Sequence, residues 1–148
     1  MYHEKQKGNY CRCHALNNLL GRQLVSLSEF DSLCDAFDKK NKFEIGSSRK
    51  KHIFYNNGLR DNIFGFILEE KDIQVNMEHY DYYRPKKIKH CDKNTMGYII
   101  YNMQHTWCVR IKDGEYWLID SMKGKPQKLN DLRSIERKGV GVIRLQKI

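Results

Sequence analysis

Asp113-Gly114 sits between two short runs of alternating apolar and polar residues, and this dipeptide constrains the fold more than any other feature of the chain. Aspartate followed by glycine accepts the positive φ angles that a two-residue hairpin turn demands. Strands are therefore predicted over residues 106–112 and 115–120, with Lys112 opposite Glu115, Val109 opposite Leu118 and Trp107 opposite Asp120. Strand side chains alternate between faces. Trp107, Val109, Ile111, Tyr116 and Leu118 thus share one face, read as the core face, with His105 and Asp120 as diagonal neighbours at its end. Such neighbours lie about 7–8 Å apart at the backbone and closer at the side chains. A histidine and a carboxylate placed this way form either a self-satisfied buried pair or a base with its orienting partner, and the hairpin alone leaves both readings open.

Helical signals precede the strands. CRCHALNNLL, residues 11–20, contains neither proline nor glycine and is followed by Gly21, a helix stop. Cys13, Ala15, Leu16, Leu19 and Leu20 cover most of its circumference, the mark of a buried helix. Ser26-Leu27-Ser28-Glu29 is a capping box, and Phe30, Leu33, Cys34 and Phe37 recur at helical spacing behind it. Lys39 and Lys40 suit that helix's C-terminus. Residues 41–57 show no convincing period and read as a loop or a short polar excursion. A third helix is expected over residues 59–71, then a strand through Ile73, Val75 and Met77. Further strands are expected over 96–102 and 140–146, and a last short helix from Asn130 to Arg137 ended by Gly139. Helices first and strands after give an α+β class, with helices packed on one side of a mostly antiparallel sheet. One domain over 1–148 is expected, with no linker or repeat.

Composition removes several classes. The 148 residues carry 40% hydrophobic side chains spread along the whole length, enough for a core and too many for a disordered chain. No apolar run is long enough for a membrane span, and the N-terminus lacks a signal-peptide stretch. The five cysteines form no complete disulfide framework, so a reducing compartment is expected, cytoplasmic, nuclear or host cytosol. Cys11-x-Cys13-His14 lacks a second pair at zinc-finger spacing, and His90-Cys91 stands alone, so no metal is expected. The net charge of +9 would suit nucleic acid. Its basic runs nevertheless lack the interleaved aromatics of a nucleic-acid platform, except near Tyr80, Tyr82, Tyr83 and Arg84, and no nucleic acid is expected.

Cys11 opens the first predicted helix. Free N–H groups and the helix dipole at such a position favour a thiolate and offer donors to an oxyanion. The helix must pack on an apolar surface, and the hairpin face is the available one. A cysteine at a helix start, facing a histidine oriented by a carboxylate, is the arrangement of a cysteine hydrolase. Cys13, two residues on, points the other way and reads as an inert buried thiol. Cys34 and Cys91 read as inert. His14 reads as structural, because helical side chains lean over the preceding turn. Asn17 and Asn18 read as partners of neighbouring backbone.

His3-Glu4-Lys5-Gln6-x-Gly8-x-x-Cys11, followed by His14-x-Leu16-Asn17-Asn18-Leu19-Leu20, closely resembles the N-terminal motif of the Josephin deubiquitinases. The resemblance continues in Tyr98-Ile99-Ile100-Tyr101-Asn102-x-x-His105 and in Trp117-Leu118-Ile119-Asp120-Ser121. It implies a papain-like fold and hydrolysis of bonds to the ubiquitin C-terminus. Cys11 would be the nucleophile, His105 the general base, Asp120 its orienting partner and Gln6 the side-chain donor of the oxyanion hole. Ubiquitin or polyubiquitin would be the partner of a monomer, with no cofactor. Three features depart from the pattern. Asp120 stands where some members carry Asn, and either accepts from an imidazole N–H. The common His-Trp pair is here His105-Thr106-Trp107. The stretch between the second and third helices is short and basic, where relatives can carry a helical arm. No polyglutamine tract or ubiquitin-interacting helix follows, so a bare catalytic domain is expected. A papain-like amidase or transglutaminase-like enzyme and a non-catalytic ubiquitin-binding module are the alternatives.

Overall fold

The computed structural model describes residues 1–50, 63–88 and 92–148. The order of elements is α1 (Cys11–Leu20), α2 (Leu27–Lys40), α3 (Ser47–Lys50), α4 (Ile63–Glu70), β1 (Val75–Tyr80), β2 (Thr95–Tyr101), β3 (Thr106–Lys112), β4 (Glu115–Ile119), β5 (Gln127–Leu129), a 3-10 turn (Arg133–Ile135) and β6 (Gly141–Lys147). The strands form one six-stranded sheet in the order β1-β6-β2-β3-β4-β5, and every neighbouring pair is antiparallel. The α+β class and the antiparallel sheet agree with the sequence.

Local chemistry explains the boundaries. Gly21 takes a left-handed φ of 75°, and its N–H returns to the Asn17 carbonyl at 2.9 Å, which stops α1. Both halves of the Ser26–Glu29 capping box are formed at the start of α2, worth about 1 kcal/mol. Asp113 and Gly114 have φ of 53° and 75°, the primed turn that matches strand twist. The β3–β4 register is the one expected, Lys112 opposite Glu115 and Val109 opposite Leu118.

The packing of that hairpin differs from expectation. α1 does not lie on the face carrying Trp107, Val109 and Leu118. It lies on the other face, where Cys13, Leu16 and Leu19 pack among Cys108, Ile119, Ile99, Ile143 and Leu145, with α2 and α4 completing the layer. The Val109 face packs against Ile88, Leu132, Ile135 and Val140 from the connecting segments. Alternation could not choose between them because both faces are apolar. In β2, Tyr98, Ile99 and Ile100 are consecutive and all fully buried, the signature of a strand covered on both sides.

α3 and the last helix differ from expectation, while the third helix agrees where it is described. Part of the periodless stretch forms α3, because the buried Asp38 carboxylate accepts from the Gly46 and Ser48 amides at 3.1 Å each and from the Ser48 hydroxyl. The third expected helix is seen over Ile63–Glu70, residues 59–62 lying outside the described set, as does Cys91. The expected last helix is only the turn at Arg133–Ile135, where the Asp131 carboxylate takes the Arg133 amide at 3.0 Å.

Gly97 lets α1 and β3 come together over β2. A Cβ there would sit 2.4 Å from the Val109 carbonyl oxygen and 3.3 Å from the Leu19 side chain. Gly124, by contrast, has open space around it. Gly97→Ala is therefore expected to lower stability by about 1–3 kcal/mol, the scale of overpacking, while Gly124→Ala stays within about 0.5 kcal/mol of the parent. Chemical denaturation of both variants checks this; equal stabilities would contradict the close approach.

Candidate active site

Cys11 is the first residue of α1 and is 3% exposed. Tyr10 precedes it with no side-chain cap, and the first intrahelical bond runs from the His14 amide to the Tyr10 carbonyl at 3.0 Å. The amides of the first turn are thus free of helical partners, with no acidic side chain among them to neutralise the dipole. Arg12 follows, itself buried, its guanidinium 5.4 Å from the Phe30 ring centroid and donating to the Ser48 carbonyl.

His105 lies just before β3, in a turn clamped by Asn102. The Asn102 side-chain oxygen accepts from the amides of Gln104 and His105, each at 2.8 Å, and the Asn102 amide returns to the His105 carbonyl at 3.0 Å. This turn stands at the end of the sheet, where the two faces meet. From there the imidazole stacks on Trp107 of one face, with centroids 5.8 Å apart and planes 18° apart, and stands close enough to Cys11 of the helical layer to act on its thiol. Nε2 engages Asp120 Oδ1 at 2.6 Å, which leaves Nδ1 as the nitrogen for the thiol. Asp120 directly follows β4, is 9% exposed and also accepts from the Met122 amide at 2.9 Å.

The electrostatics follow from these contacts. Burial alone opposes the Cys11 thiolate. The hydrogen bond and charge of His105, the Thr106 amide and the charge of Arg12 together outweigh it and hold the thiol below its ordinary range. Burial likewise opposes a charged His105, yet its bonds to Asp120 and Cys11, and their charges, raise it to about 9. Burial would raise the Asp120 carboxyl, but His105 and the Met122 amide keep it low. For Cys13 and Cys34 burial outweighs the Asn17 hydrogen bond and the Arg12 charge, respectively, and pushes each thiol up to about 12.

Three of the four residues singled out in the sequence therefore meet: Cys11, His105 and Asp120. Gln6 is tied beside them through Ser121. Its backbone N–H donates to the Ser121 carbonyl at 2.8 Å, its Oε1 accepts from the Ser121 hydroxyl, and its Nε2 donates to the Gly8 carbonyl at 2.5 Å. His3 touches the Asp120 carbonyl at 2.9 Å. His14 is occupied on both nitrogens, Nε2 by the Lys7 amide at 3.2 Å and Nδ1 by Glu4 at 2.8 Å. Asn17 exchanges two bonds with Val25. Among the described residues, no three His, Cys, Asp or Glu side chains gather as a metal ion would need.

The residues alone place Trp107 on the face of His105 and Asn102 in the resembling motif, but not the stacking of the one, the clamp formed by the other or the Thr106 amide. An Asn bonding the amide two residues on is a turn signature, and Trp107 shares the strand parity of His105. Both signals were present in the residues. The Thr106 amide left none, since a backbone contact across elements has no side-chain marker.

A thiol beside an imidazole that is itself oriented by a carboxylate can supply a nucleophile, a proton acceptor and its support. Peptide mapping after iodoacetamide labelling of the native protein is expected to place the label on Cys11 at pH values below the ordinary thiol range, and not on Cys13 or Cys34. His105→Ala removes a cation that stabilises the thiolate, so the inflection should move upward. An unchanged inflection would show that the two groups are not electrostatically coupled.

The chain matches the Josephin family model over residues 6–136. It is 24% identical over 147 residues to a Josephin-like protein of Drosophila melanogaster, an alignment covering 87% of this chain. The chain spans 62% of the length of that relative.

Proposed function

The chain belongs to the Josephin family, and from that premise we propose that it is a thiol-dependent deubiquitinase, hydrolysing isopeptide or peptide bonds at the ubiquitin C-terminus. Cys11 is the nucleophile, His105 the general base, Asp120 its orienting partner and Gln6 the side-chain donor to the oxyanion. The observation that carries this reading is the 2.6 Å contact between His105 Nε2 and Asp120 Oδ1, which commits that nitrogen to the carboxylate and leaves the other for the Cys11 thiol.

The Cys11 sulfur attacks the carbonyl carbon of the terminal glycine, and a C–S bond forms while the carbonyl π electrons move to oxygen. First-turn amides of α1 and the Gln6 carboxamide receive that charge. The imidazolium of His105 gives its proton to the leaving amine as the C–N bond breaks. Water, deprotonated by His105, then attacks the thioester and releases the ubiquitin carboxylate and the Cys11 thiol. Asp120 holds the ring so that the nitrogen facing the thiol is the one that exchanges the proton. The ion pair exists only between the lowered thiol value and the raised imidazole value. Turnover should therefore rise as Cys11 loses its proton and fall as His105 loses its own near pH 9.

A fluorogenic ubiquitin C-terminal amide, run beside ubiquitin-like counterparts, tests activity and substrate together. Wild type is expected to turn over the ubiquitin substrate. His105→Ala should lose about two to three orders of magnitude, the scale of general acid–base catalysis. His14→Ala should lose far less where its fold is retained. Reversal of those two effects would overturn the assignment of the base, and turnover of only the ubiquitin-like substrates would overturn the substrate.

A further inference from the structure

Ser121 follows Asp120 in the chain and is 5% exposed. It meets Gln6 twice, through its carbonyl at 2.8 Å and through its hydroxyl. The direction of the second bond can be deduced. The Gly8 carbonyl, 2.5 Å from the carboxamide of Gln6, can only accept, so the end facing it must be the NH2 group. The oxygen end then faces Ser121, and the serine hydroxyl must be the donor. A carboxamide is planar, and both hydrogens of its NH2 lie in that plane. With one end held by Ser121 and one N–H held by Gly8, the plane is fixed, and with it the direction of the remaining N–H.

From this geometry, and resting on the proposed role of Gln6, we propose that Ser121 is a positioning residue: its hydroxyl sets the plane of the Gln6 carboxamide so that the free N–H is aimed before the oxyanion develops. A donor arranged in advance does not have to reorganise during reaction, which is where such donors gain their effect. The Ser121 hydroxyl is bonded to Gln6, and Ser121 acts through that residue. Its neighbour Asp120 orients the base, so consecutive residues after β4 support the two halves of the chemistry. Asp120 sets the direction of proton transfer and Ser121 sets the direction of charge stabilisation.

Steady-state kinetics on the fluorogenic ubiquitin amide test this with Ser121→Ala, Ser121→Thr, Gln6→Ala and the Ser121→Ala/Gln6→Ala double variant. Ser121→Ala should lower kcat about three- to tenfold, the worth of one hydrogen bond, with KM within about twofold on the view that the donor acts in the transition state. Ser121→Thr, which keeps the hydroxyl, should recover most of that loss. Gln6→Ala should cost about 100- to 1,000-fold, and adding Ser121→Ala to it should cost nothing more. Cys11 alkylation as a function of pH should be unchanged in Ser121→Ala, which separates an aimed donor from a damaged fold. An additive loss in the double variant, a change confined to KM, or full activity of Ser121→Ala beside an impaired Gln6→Ala would overturn the role of Ser121 alone. Full activity of Gln6→Ala would overturn the oxyanion role of Gln6 and this proposal with it.

Discussion

One mostly buried carboxylate decides how the N-terminal segment lies on the rest of the molecule. Glu4, its side chain 13% exposed, accepts from the Tyr2 hydroxyl, from His14 Nδ1 at 2.8 Å and from Asn17 Nδ2 at 3.2 Å, while its own amide donates to Asn18 at 2.7 Å. A charge taken out of water must find donors, and α1 supplies them from one polar side. The Lys7 amide donates to His14 Nε2, so Nδ1 must be the nitrogen that donates to Glu4. These bonds lay residues 3–7 along α1, where His3 and Gln6 reach residues 120 and 121 at the end of β4. The segment that precedes Cys11 is thereby joined to the end of the strand that carries Asp120, the partner of His105.

Cys11 and Cys13 show what this arrangement does to chemistry. They are two positions apart on one helix and both almost fully buried. Burial alone would make both inert. Cys11 faces a histidine, a backbone amide and the open end of the helix, and its thiol is lowered; Cys13 faces the core and the Val25 carbonyl, and its thiol is pushed up to about 12. About 100° of helix rotation per residue separates the two environments. The raised value of His105 is the other half of the same coupling.

Most of the frame could be read from the residues because its signals are local. The capping box at Ser26, the stop at Gly21 and the turn at Asp113-Gly114 each act within a few positions. The hairpin register follows from the turn alone and puts His105 beside Asp120. The face on which α1 packs was not readable, since a strand covered on both sides has no alternation to betray its orientation. α3 was missed because Asp38 organises it from α2, and β5 because three residues carry no period. Gln6 had no marker of its own. Only its spacing from Cys11 within a resembling motif distinguishes it, and its two supports, Ser121 and Gly8, are contacts of the folded chain that carry no sequence signal.

Intact mass after incubation with ubiquitin bearing a C-terminal electrophile reports both the partner and the attacking atom, because the adduct is covalent. Wild type and Cys13→Ala should each gain one ubiquitin, and Cys11→Ala should gain none. An adduct that persists in Cys11→Ala and vanishes in Cys13→Ala would contradict the account, and with it the placing of Gln6 and Ser121 around the oxyanion.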